Sequence, residues 1–64
     1  MDALMTTDEL SQYLQIPRAT IYRWRQDRVG PKAVRVGKHL RWRRTDVDRW
    51  LDEQSDNDRE VAVL

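Results

Sequence analysis

Residues 33–44 read AVRVGKHLRWRR. Valines and a leucine alternate with arginines around Gly37-Lys38-His39, and the stretch ends on a basic run. Alternation at a period of two predicts two strands, and the glycine between them predicts a hairpin. Two pairings compete. A two-residue turn at Gly37-Lys38, with glycine first, suits type II′, but it puts Val34 and Val36 on the same face as His39 and Arg41. A three-residue loop, Gly37-Lys38-His39, aligns Val34, Val36, Leu40 and Trp42 on one face and leaves Arg35, Arg41 and Arg43 on the other. A slip of one residue moves a strand's whole side-chain set across the sheet, so burial of one face specifies register more strongly than turn preference. The longer loop is therefore the expectation.

Helices flank the hairpin. On its C-terminal side, Thr45-Asp46-Val47-Asp48 opens one, with Thr45 as N-cap and acids in the first turn, where the helix dipole favours them. Val47, Trp50 and Leu51 give its apolar stripe. The polar run DEQSDNDRE follows without an apolar period, so a fraying end and then an acidic, flexible tail over residues 55–64 are expected. The closing VAVL has no evident place in a core. On the N-terminal side, Val29-Gly30-Pro31 breaks a helix that starts at Pro17 and runs to about Arg28. Ile21 and Trp24 lie on its inner side. Ala19, Tyr22, Arg23 and Gln26 point outward, with Arg18 and Thr20 flanking that face near the helix start. Further upstream, Thr6 and Glu9 form T-x-x-E, a capping box that begins a helix near Thr7. Leu10, Tyr13 and Leu14 form its apolar stripe. Gln15 and Ile16 make the turn into the next helix, with Ile16 as a buried plug.

Sixty-four residues make one small domain, which buries only about 60% of the surface its unfolded chain exposes. Large side chains must fill its core, and Trp24, Trp42 and Trp50 are the candidates. Cysteine is absent and His39 is the one histidine. That leaves no disulfide, no thiolate site and no metal cluster to expect, and suits a reducing cytoplasm. No apolar run approaches the roughly 20 residues of a membrane span, and the N-terminus lacks a signal-peptide pattern. Neither a glycine-rich phosphate loop nor a paired nucleophile and base occurs, so no catalytic residue and no cofactor is expected.

Charge is segregated. The net charge is +1, yet residues 18–44 carry ten Lys and Arg against Asp27 alone, between two acidic flanks. A basic block of this kind points to an anionic partner. The element order is helix, tight turn, helix, two-stranded antiparallel hairpin, helix. That is a small α+β winged helix-turn-helix, expected over residues 4–54. In this arrangement the second helix enters a major groove, where Arg23 can bond guanine O6 and N7 and Gln26 can bond adenine. Tyr22 can give its hydroxyl to a phosphate. Arg18 and Thr20 sit where free N–H groups and the dipole also favour phosphate. Lys38 and His39 at the hairpin tip would reach an adjacent minor groove, with Arg35 and Arg41 following the phosphates.

The run from Leu4 to Leu51 resembles the excisionase-like helix-turn-helix domains, small relatives of the MerR-type winged helix. The matching pieces are LMTTDELSQYL, IPRATIYRWR, GPKAVRVGKHLRWRR and TDVDRWL, in order, over about three quarters of the chain. Gln15 stands where the family often has glycine, which leaves a non-glycine residue in any left-handed turn there. The resemblance implies a bacteriophage or mobile-element accessory factor, a recombination directionality factor. Such a factor binds repeated DNA sites side by side, bends the DNA and directs an integrase toward excision. Carried over by position, the recognition-helix residues are Arg18, Thr20, Tyr22, Arg23 and Gln26, and the wing residues are Arg35, Lys38, His39 and Arg41. Bending a 20–30 bp site by 40–90° costs on the order of 1–6 kcal/mol, so several adjacent copies are expected. Two other readings stand beside this one: a transcriptional regulator on the same domain, and an adaptor whose basic face meets an acidic protein.

Overall fold

The capping box forms as its spacing requires. Glu9 N–H donates to Thr6 Oγ1 at 3.1 Å, and Thr6 N–H donates to Glu9 Oε1 at 2.9 Å. In this computed structural model, which describes the backbone of residues 3–62 and the side chains of residues 3–55, the elements run as follows. A two-residue strand β1 (Leu4–Met5) precedes helix α1 (Thr7–Leu14) and helix α2 (Arg18–Asp27). Strands β2 (Ala33–Val36) and β3 (His39–Arg43) come next, followed by helix α3 (Arg44–Ala62). The sheet is antiparallel in the order β1-β3-β2. This is a small α+β winged helix-turn-helix, with β1 adding a third strand to the expected hairpin. Two residues carry no periodicity, which is why β1 leaves no mark in the sequence.

Both helices of the helix-turn-helix end in left-handed residues. Gln15 closes α1 at φ 58°, ψ 47°, and its N–H donates to Ser11 C=O. The Ser11 hydroxyl in turn donates to Ile16 C=O, so one serine holds both sides of the turn. Arg28 closes α2 at φ 60°, with its N–H on Trp24 C=O. A left-handed backbone costs a residue with a Cβ roughly 1–2 kcal/mol, so the turn is fixed by packing on either side of it. Pro17 caps α2 from outside the helix, at ψ 148°, so the helix begins at Arg18, one position after the expected start.

The core takes one side chain from each long element. Leu10 of α1, Ile21 of α2, Trp42 of β3 and Val47 of α3 are each no more than 1% exposed. Met5, Leu14, Ile16, Trp24, Ala33, Leu40 and Leu51 pack around them. Trp50 reaches this layer through Trp24, at 5.2 Å between ring centroids and 55° between planes. Gly30 lies against the same Trp24 ring at φ +87°, where an added Cβ would meet a ring carbon at 2.7 Å. Tyr13 departs from its expected place in the buried stripe of α1. It is 37% exposed, donates its hydroxyl to Asp48 at 2.5 Å and lies under the Arg44 guanidinium, 4.7 Å from the ring centroid. The residue thus ties α1 to the first turns of α3 from outside the core.

The hairpin pairs in the register set aside above. Ala33 faces Trp42, Val34 faces Arg41, Arg35 faces Leu40 and Val36 faces His39, so the loop is the two residues Gly37-Lys38. Gly37 takes φ +62°, the value that the first position of a type II′ turn requires. Val34 and Val36 therefore share a face with His39, Arg41 and Arg43. Arg35 lies on the other face with Ala33, Leu40 and Trp42. The physical reason is the reach of the core. Only the base of the hairpin is buried, at Trp42 with Ala33 and Leu40 packed beside it, while Val36 is 46% exposed. Burial therefore leaves the tip's register undetermined, and turn chemistry decides it.

Helix α3 also differs from expectation. It begins at Arg44, one residue before Thr45, the expected N-cap. Its backbone continues to Ala62, past the end of the apolar stripe at Leu51, and is helical where an irregular tail was expected. The stretch after Leu51 holds neither glycine nor proline, so nothing in it breaks a helix already begun. Of the terminal VAVL, Val63 and Leu64 lie outside the described residues.

Candidate nucleic-acid interface

Helix α2 owes its two faces to its spacing. Ile21 is buried and Trp24 half-buried. On the opposite side Ala19, Tyr22, Arg23 and Gln26 are exposed, Tyr22 by 53%. Three different hydrogen-bonding side chains thus lie bare within a turn and a half of helix. An exposed aromatic beside an arginine and an amide suits base edges, thymine methyls and phosphates together. Ala19, Thr20 and Arg23 line a shallow hollow of about 230 Å³. The alanine leaves room there for a partner to approach the helix.

The start of α2 is open to anions. Pro17 offers no side-chain cap, and the first turn contains no acid, so N–H groups at the positive end of the dipole remain available. Thr20 is half-buried, and its N–H returns to Pro17 C=O at 3.1 Å. Arg18 donates to Asp8 Oδ1 of α1 at 2.7 Å, in a pair exposed on both sides. An exposed pair of this kind is worth about 0.2–1 kcal/mol, so exchanging the carboxylate for a phosphate costs little. Asp8 was not foreseen as part of the site. It lies ten residues from Arg18, across a turn, where no helical spacing connects them.

The wing residues divide between two faces. Arg35, Lys38 and His39 are exposed, and Arg41 is half-buried. The register places Arg41 with His39 and Val36, and Arg35 on the other side of the ribbon. Arg35 and Arg41 therefore flank the tip from opposite faces instead of forming one row. Arg41 is held along its own strand by a bond from its guanidinium to Leu40 C=O at 2.8 Å. Among the described residues no three His, Cys, Asp or Glu side chains form a group that could hold a metal ion. No described helix is long and apolar enough to cross a membrane.

A helix-turn-helix with an outward basic face and a charged hairpin defines a DNA-binding class. Comparison with known families agrees: the description "Helix-turn-helix domain" matches residues 4–55. The chain belongs to this helix-turn-helix family, whose members are DNA-binding modules and typically not enzymes. No curated protein and no solved structure matches the chain.

Proposed function

We propose that this protein is an architectural DNA-binding factor, an excisionase of a phage or other mobile element acting in the cytoplasm of its bacterial host. Several copies bind adjacent sites, bend the duplex and bias an integrase toward excision. The observation that carries the DNA contact is the bare outer face of α2, with Tyr22, Arg23 and Gln26 exposed opposite the buried Ile21. Arg23 and Gln26 read base edges, while Tyr22, Arg18 and Thr20 bind phosphates. Lys38 and His39 enter the neighbouring minor groove, and Arg35 and Arg41 follow its two rims. Residues 4–54 form the binding unit, and the acidic segment 55–64 contacts a neighbouring copy or the integrase. Support for excision over other regulation is the ordered resemblance of the four sequence pieces.

Footprinting on attachment-site DNA, with and without integrase, tests this reading. Two or more contiguous protected repeats and slower migration of a bent duplex are the expected result. A single protected site at a promoter, with no effect on recombination, would make the protein a transcriptional regulator instead. Deleting residues 56–64 should leave single-site affinity intact and reduce excision. Unchanged excision by the truncated chain would remove the role given to the tail.

A further inference from the structure

The observed register puts Val34 and Val36 on the face away from the core, and Val36 is the more exposed of the two. Val36 pairs with His39 beside the turn, is 46% exposed and shares its face with His39, Arg41 and Arg43. It belongs neither to the four buried core residues nor to the half-buried layer around them. Around it the tip is cationic or polar: Arg35 before it, Lys38 after it, and Arg41 two residues beyond His39 on the facing strand. An aliphatic group flanked by cations on both sides matches one feature of duplex DNA. The minor groove has walls of deoxyribose C–H, an apolar surface, between two rows of phosphates.

We propose that Val36 is itself a DNA contact, whose isopropyl group packs on the sugar walls of the minor groove while Lys38, Arg35 and Arg41 meet the phosphates. The inference rests on the reading of the chain as a duplex-DNA binder and adds a residue to it. Contact with both walls needs a narrow groove, so the wing favours A·T-rich sequence at its site without bonding a base. The contribution is short-range and apolar. It is therefore independent of salt, unlike that of the neighbouring cations.

The test compares wild-type protein, Val36→Thr and Lys38→Ala on the footprinted duplex over a range of salt, together with hydroxyl-radical cleavage, which reads sugar exposure in the minor groove. Threonine keeps the β-branch that the strand prefers. Val36→Thr should bind roughly four- to tenfold more weakly at every salt concentration, as expected for losing one or so buried methyl groups. Its salt slope should equal that of wild type, and sugar protection beside the α2 site should be reduced. Lys38→Ala should instead flatten the slope by about one unit. Wild-type affinity and wild-type protection in Val36→Thr would overturn the inference alone. Failure of the wild-type protein to bind duplex at all would overturn the proposed function and this inference with it. Should Val36→Thr fold poorly, the wild-type footprint decides: no sugar protection beside the α2 site excludes the contact.

Discussion

Helix α2 and the hairpin present the same kind of evidence in sequence, apolar residues at a regular spacing, and only the first obeys it along its whole length. In α2 the core lies against the helix from Ile21 to Trp24, so every outward residue is set by the inward ones. In the hairpin the core ends at Ala33, Leu40 and Trp42. Val36, three residues further along the strand from Ala33, has no core to face. Periodicity reports a buried face only as far as burial extends.

Substitutions at the two ends of the hairpin should break this contrast first. Trp42→Ala should cost about 3–5 kcal/mol, as for other large buried aromatics. That is enough to unfold much of a domain this small, whose total stability is on the order of 3–10 kcal/mol. Val36→Ala should change stability by no more than about 0.5 kcal/mol. Thermal melts followed by circular dichroism compare the two, and a loss of several kcal/mol at Val36 would mean that the tip is packed after all.

Glycines sharpen the same comparison. Gly30→Ala places a Cβ 2.7 Å from the Trp24 ring at φ +87°, and should cost about 2–4 kcal/mol from strain and displaced packing together. Gly37→Ala meets nothing within 4 Å, so only its φ of +62° opposes the change, at about 1–2 kcal/mol. Equal losses at both positions in urea titrations would show that the Trp24 contact adds nothing. The smallest effect has the opposite sign. Gln15→Gly relieves a left-handed glutamine and should stabilise by up to about 1 kcal/mol, the relief of strain being partly offset by glycine's greater unfolded-state freedom. A lower melting temperature for Gln15→Gly would show that the glutamine side chain does more at the turn than occupy it.

Much of the fold was legible because its signals are local. T-x-x-E marked the start of α1, Val29-Gly30-Pro31 marked the end of α2, and Val47 with Leu51 marked the buried side of α3. The left-handed state of Gln15 was foreshadowed by the glycine that related turns prefer there. What escaped depends on contacts between segments distant in sequence. Strand β1 exists only because β3 offers an edge to pair with, and Asp8 meets Arg18 only once the turn has folded. Tyr13 fits the α1 stripe by spacing, yet Arg44 and Asp48 hold it at the surface. The exposed face of α2 was legible because its other side is buried, whereas the faces of the wing were read in the wrong register because neither side of the tip is buried.

The central claim is that the exposed side chains of α2 and the wing bind duplex DNA in different ways. Titration of the footprinted duplex across a range of salt tests it most directly. Log K should fall steeply with log salt, by about 0.9 for each phosphate neutralised. Arg23→Ala should shrink the gap between specific and random duplex, whereas Lys38→Ala should weaken binding to both alike. A flat salt dependence with equal affinity for specific and random duplex would contradict the account.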